Sequence, residues 1–156
     1  MKIVFVCTGN TCRSPMAEAL ARKWCSLNVP ERGDIRVMSA GLAALAGSPV
    51  SSPALEVMKN EGISLTGHRA RRFSEELARD SDLILTMSGS HKKTLVKMFP
   101  EAAEKIFTLR EFAGEGNTDI ADPFGQSAAV YWSCAVEIKE LIDKIFHKII
   151  KPTQGT

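Results

Sequence analysis

The apolar run Ile3-Val4-Phe5-Val6 passes directly into Cys7-Thr8-Gly9-Asn10-Thr11-Cys12-Arg13-Ser14-Pro15. A short, uninterrupted apolar run predicts a strand buried on both faces. Ser14-Pro15 then predicts the start of a helix. Strand, small-residue loop and helix in that order open a crossover unit, which commits the chain to a parallel sheet covered by helices. The remaining sequence repeats the alternation. Strands are expected over residues 3–6, 35–39, 82–87 and 106–109, and helices over 14–27, 53–61, 74–78, 88–98 and 128–150. Gly62 reads as a C-cap and Ser74 as an N-cap with Leu77 turned inward. Met16, Ala19, Leu20 and Trp24 share the inner face of the first helix. Val130, Cys134, Ile138, Leu141, Ile145 and Ile149 share that of the last. The expected fold is α/β, a single-domain open sheet of about four parallel strands with helices on both faces. It occupies residues 1–150, with 151–156 as a frayed C-terminal tail.

In such sheets the binding crevice forms at the carboxyl ends of the strands. Cys7, Ser39-Ala40-Gly41 and Met87-Ser88 begin the loops there, and the long loop over residues 114–126 returns to the same edge. The formal charge of +2 is too small to argue for nucleic acid or an anionic membrane. No apolar stretch reaches membrane-span length, and the N-terminal run is too short for a signal-peptide core. A cytoplasmic monomer without nucleic-acid or membrane partners is the expectation. Four cysteines at irregular spacing do not form a secreted disulfide framework. Cys25 and Cys134 read as buried hydrophobes. His68, His91 and His147 lie far apart and show no metal-ligand spacing with cysteine, so neither a metal nor another cofactor is expected.

The first loop carries the chemistry. Backbone amides of a small loop converge on one oxyanion, and the following helix N-terminus adds positive potential. A cysteine held there gives up its proton readily. Cys7 is placed to attack a phosphoryl group whose oxygens Arg13 grips in a bidentate fork, which lysine cannot form. Gly9 and Asn10 tolerate the left-handed backbone that an inward-facing loop requires. The Ser14 hydroxyl can cap the helix, donate to the Cys7 sulfur, or both. Cys12 either packs under the loop or pairs reversibly with Cys7 after oxidation. An acid for the leaving group must come from elsewhere. Asp119 and Asp122 both lie in the long loop; Asp122 is favoured because Pro123 stiffens it, with Phe124 as a pocket wall.

These segments, together with Asp82-Leu83-Ile84-Leu85-Thr86-Met87, resemble the low-molecular-weight protein-tyrosine phosphatase family over essentially the whole chain. The resemblance implies that Cys7 forms a cysteinyl-phosphate, Arg13 binds phosphate, and Asp122 serves as general acid and then base. It further implies that Asn10, Ser39 and His68 fix the loop, and that Ser14 favours the thiolate. Tyrosine phosphatases of this family carry bulky aliphatics where Thr8 and Thr11 stand, and a second aromatic where Gly125 follows Phe124. The pattern here is similar to bacterial protein-arginine phosphatases, in which the threonine at the Thr11 position narrows and polarises the pocket and the phenylalanine lines it. The function expected is hydrolysis of phosphoarginine in phosphorylated proteins.

The alternative is a tyrosine phosphatase with Thr8 and Thr11 as fillers. An arsenate reductase would need relay cysteines, and residues 82–98 contain none. A non-catalytic phosphate-binding or Cys7/Cys12 redox module would not require an arginine, Ser14 and a loop aspartate together.

Overall fold

Lys2–Cys7 (β1) is the strand on which the sheet is built, because Ile3, Val4, Phe5 and Val6 are all fully buried. Each such side chain contributes roughly 1.5–3 kcal/mol by leaving water. The computed structural model describes residues 1–116 and 119–150. Its elements follow in order: Arg13–Asn28 (α1), Arg36–Gly41 (β2), Ser52–Asn60 (α2), Glu75–Asp80 (α3), Leu83–Thr86 (β3) and Gly89–Met98 (α4). After a 3-10 turn over Pro100–Lys105 come Ile106–Thr108 (β4), Leu109–Phe112 (α5) and Ala128–Ile149 (α6). The expected tail, residues 151–156, lies outside the described residues.

The four strands are parallel and ordered β2-β1-β3-β4. Period-two alternation along β1 divides the core between the two faces. Ile3, Phe5 and Cys7 pack with α1, α2 and α6, through Met16, Leu20, Met58, Ile138 and Ile145 among others. Val4 and Val6 face the other way, onto Leu77 of α3, Leu95 of α4 and Ala102 of the 3-10 turn. Helices therefore cover both faces, as the alternation predicts. Among the described residues no helix is long and apolar enough to cross a membrane.

Most caps follow their sequence signals. Ser74 Oγ accepts from Leu77 N at 3.2 Å, and Ser88 Oγ accepts from His91 N at 3.2 Å. Gly62, just past the end of α2, takes the left-handed backbone at φ 75°. Three expectations change. Residue 109 opens α5 instead of ending β4, because Thr108 and Glu111 form a capping box. The inner face of α6 holds Tyr131, while Val130 is 40% exposed, since the stripe includes a phenol that finds a buried partner. Strand β2 runs on through Ala40 to Gly41, which pairs with Cys7.

That last pairing positions the site. A Cβ on Gly41 would lie 2.6 Å from the Thr8 carbonyl oxygen and 2.9 Å from both Asn10 N and the Ala44 Cβ. Two of those neighbours are backbone of the Cys7–Arg13 loop, so the end of β2 and the loop can approach only because residue 41 lacks a side chain. Gly41→Ala is expected to cost about 1–3 kcal/mol of stability in a urea melt, the usual penalty for overpacking, and to lower activity with it.

Candidate functional site

Cys7 ends β1 and Arg13 begins α1, so the five intervening residues turn across the carboxyl edge of the sheet. Asn10 holds that turn. It is fully buried and is the one described non-glycine residue with positive φ, at 56°. Gly9, expected to share this conformation, does not adopt it. The Asn10 amide is fully used: Nδ2 donates to Ser14 Oγ and Ser39 Oγ, each at 2.9 Å, and Oδ1 accepts from Arg71 N at 3.0 Å. His68 Nε2 lies 2.9 Å from the Asn10 carbonyl, which can only accept, so that nitrogen carries a proton.

The same network reaches the nucleophile candidate. Ser14 Oγ lies 2.9 Å from Cys7 Sγ. Because Ser14 accepts from Asn10, its own hydroxyl proton is free to point at the sulfur. Behind it, Ser39 Oγ donates to Glu18 Oε1 at 3.0 Å, and Arg22 stands 3.6 Å from the other carboxylate oxygen. A string of polarised hydroxyls and amides thus runs from a carboxylate to the thiol, and low local dielectric strengthens each link. Ser14 lies inside α1 and does not cap it, because its hydroxyl is occupied by Asn10 and Cys7. The α1 N-terminus has no side-chain cap at all, which leaves its first-turn amides for an anion.

Arg13 is only 5% exposed. Its Nη1 donates to the Ile120 carbonyl at 2.7 Å, and its Nη2 stands 3.7 Å from Asp122 Oδ2. The long loop is tied back to the sheet by Ile120 N, which donates to the Met87 carbonyl at 3.0 Å. The two candidate aspartates separate clearly. Asp119 Oδ1 accepts from Gly89 N at 2.8 Å and so closes the start of α4. Asp122 accepts from Phe124 N at 3.0 Å across Pro123, which holds its carboxylate at the cavity. Phe124 is 72% exposed and stands at the mouth.

Cys7, Thr8, Gly9, Thr11, Cys12, Arg13, Asp122 and Phe124 line a cavity of about 220 Å³. Cys12 is buried beneath it, its Sγ 3.3 Å from both Ser51 Oγ and Tyr131 Oη. Burial, then the Cys12 contact, pushes the Tyr131 pKa up to about 12. All four cysteines are free thiols. A wider cleft of about 590 Å³ opens at the amino edge of the sheet, and burial raises the pKa of its one thiol, Cys25. Among the described residues no group of three or more His, Cys, Asp or Glu side chains is gathered to hold a metal.

Sequence reasoning missed Glu18 and Tyr131 as parts of this site, and placed Gly41 at the crevice without its close approach to the loop. Glu18 had a signal, a lone charge inside Met16-Ala17-Glu18-Ala19-Leu20-Ala21. So did Gly41, a glycine at a strand end.

The comparisons with known proteins agree with this geometry. Residues 2–154 match the family model described as low molecular weight phosphotyrosine protein phosphatase. A protein-arginine-phosphatase of Geobacillus stearothermophilus is 41% identical over 148 residues, covering 95% of each chain. A low molecular weight protein tyrosine phosphatase from T. tengcongensis superposes with a TM-score of 0.88 at 46% identity, over 95% of this chain and 99% of that one. The YwlE arginine phosphatase, solved as a mutant with a phosphorylated active-site serine, superposes with a TM-score of 0.91 at 35% identity, over 99% of both chains.

Asn10→Ala is expected to destabilise the fold by about 3 kcal/mol or more, from the left-handed backbone and the lost hydrogen bonds together. Asn10→Gly should recover about 1 kcal/mol of this, the backbone part. Urea unfolding of the two variants side by side measures the difference.

Proposed function

The chain belongs to the low-molecular-weight phosphotyrosine protein phosphatase family, and from that premise we propose a cysteine-dependent protein phosphatase that hydrolyses phosphoarginine. One observation carries the substrate choice: the cavity wall offers two hydroxyls, Thr8 and Thr11, and a single exposed aromatic, Phe124. A guanidinium brings N–H donors that a hydroxyl can accept. A phosphotyrosine ring would want a second aromatic wall for stacking, and Gly125 stands where that residue would be. Arginine phosphatases among the relatives support the same reading.

The mechanism follows from the positions of the groups. The phosphoryl group enters the cradle of loop amides with its phosphorus toward Cys7. Arg13, steadied by the Ile120 carbonyl, turns its remaining N–H groups onto the phosphoryl oxygens. The Cys7 thiolate attacks in line, the P–N bond breaks, and protonated Asp122 gives its proton to the departing guanidine nitrogen. The arginine side chain leaves as its ordinary guanidinium cation, and Cys7 is left as a cysteinyl-phosphate. Asp122 then takes a proton from water as that water attacks phosphorus, releasing inorganic phosphate and the Cys7 thiolate. The Ser14 hydroxyl favours the thiolate at both ends of the cycle. The phosphorylated serine in the YwlE structure supports a phosphorylated nucleophile at this position.

In this reading residues 1–150 form the phosphatase domain, which acts as a cytoplasmic monomer on phosphorylated proteins, without cofactor, nucleic acid or membrane. Cys12, buried under the loop, is the partner for a reversible disulfide with Cys7.

Matched phosphoarginine and phosphotyrosine peptides should give a clearly higher kcat/KM for phosphoarginine; the reverse order would falsify the substrate assignment. Cys7→Ser should abolish turnover. Asp122→Ala should lose about 10²–10⁴-fold in rate, the range of general acid–base catalysis, whereas Asp119→Ala should lose about 1 kcal/mol of stability as a missing helix cap and little rate. Thr11→Ile should shift the preference toward phosphotyrosine.

A further inference from the structure

His91, in the first turn of α4, places Nε2 2.8 Å from Thr8 Oγ1. The imidazole is only 9% exposed, and its Nδ1 is buried with no hydrogen-bond partner. Thr8 is the residue after the nucleophile and lines the cavity. A buried ring with one polar contact, and that contact on the cavity wall, has a defined orientation to impose.

Three proton arrangements are open to the ring. The charged form would leave an orphan N–H at Nδ1 and add a cation beside Arg13. The neutral form protonated on Nδ1 buries the same orphan donor. The neutral form protonated on Nε2 leaves only a bare acceptor, and unpaired acceptors are better tolerated than unpaired donors. The groups facing the ring agree. Burial and then the Arg13 cation lower its pKa from the ordinary histidine value, against the Asp119 and Asp122 carboxylates, which raise it. His91 is therefore neutral near pH 7 and donates from Nε2 to Thr8. The Thr8 oxygen keeps one lone pair and its own proton, confined to the two directions that the His91 contact leaves open.

We propose that His91 is a positioning residue for substrate selection, fixing the Thr8 hydroxyl so that Thr8 and Thr11 together receive the N–H edge of a phosphoguanidinium. This deepens the phosphoarginine reading and rests on it. An oriented lone pair serves a leaving group rich in N–H donors and offers nothing to an aryl ring. Released from His91, the Thr8 hydroxyl rotates freely and must be ordered anew by each substrate.

The test is a double-mutant cycle on Thr8→Val and His91→Leu, read as kcat/KM on the matched phosphoarginine and phosphotyrosine peptides. Each single variant is expected to lower the phosphoarginine-to-phosphotyrosine ratio by about 3–10-fold, the size of one net hydrogen bond. The double variant should fall no further than the singles, because the two residues act through one contact. His91→Gln, whose amide nitrogen reaches the Nε2 position, should restore most of the ratio. Should His91→Leu not fold, Thr8→Ser against Thr8→Val carries the same comparison from the exposed side of the pair. Equal losses on both substrates, independent effects in the double variant, or no rescue by glutamine would each overturn the proposal. An unaltered protein that prefers phosphotyrosine would overturn the phosphoarginine reading instead, and the cycle would still report whether Thr8 and His91 are coupled.

Discussion

A single buried amide holds the site together. Asn10 takes a backbone conformation that costs most residues about 1–2 kcal/mol, and its side chain offsets that cost by bonding in three directions, to Ser14, Ser39 and the backbone of Arg71. His68 closes the fourth side through the Asn10 carbonyl. A buried polar network with every member satisfied specifies one geometry, whereas a half-satisfied one would be a liability. The loop between Cys7 and Arg13 is consequently built before any substrate arrives. Its stiffness comes from three separate parts of the chain: Ser39 on β2, the segment carrying His68 and Arg71, and Ser14 on α1.

The site is asymmetric in a way that suits the proposed chemistry. On the phosphate side everything is buried and braced: Cys7 at the end of the central strand, Arg13 against the Ile120 carbonyl, Ser14 against the sulfur. On the leaving-group side Asp122 and Phe124 stand exposed on a loop tied to the sheet through Ile120. A rigid anion cradle stabilises charge that develops in the transition state without reorganising. A half-open acid can deliver a proton to large leaving groups and then admit water. Thr8 and Thr11, the residues proposed to select the substrate, line the cavity at the boundary of the two regions.

The sequence exposed the fold through Ile3-Val4-Phe5-Val6 and the alternation that follows, because a strand buried on both faces has no polar positions to confuse its pattern. It exposed Cys7 and Arg13 as candidates because a thiol and a guanidinium frame one short loop, and it offered two loop aspartates as the acid. The partners of Asn10 were legible only through family resemblance: Ser39 and His68 are ordinary residues until the chain folds. Asp119 and Asp122 could not be separated by spacing; the amide of Gly89 separates them by occupying the first. Thr8 and His91 meet across 83 positions of sequence, and nothing local announces such a pair. Val130 and Tyr131 exchanged places because an apolar tally scores a phenol as half polar, while the folded chain supplies its hydroxyl with the Cys12 thiol.

In the proposed mechanism phosphate passes through Cys7 after leaving a guanidine nitrogen. Asp122→Ala protein, mixed briefly with a phosphoarginine peptide and quenched, should carry a phosphate adduct on Cys7 by peptide mass mapping. The adduct should persist because the base that activates water is missing. An adduct on another residue, or hydrolysis of phosphoarginine by a Cys7→Ser protein at the unaltered rate, would rule out this route.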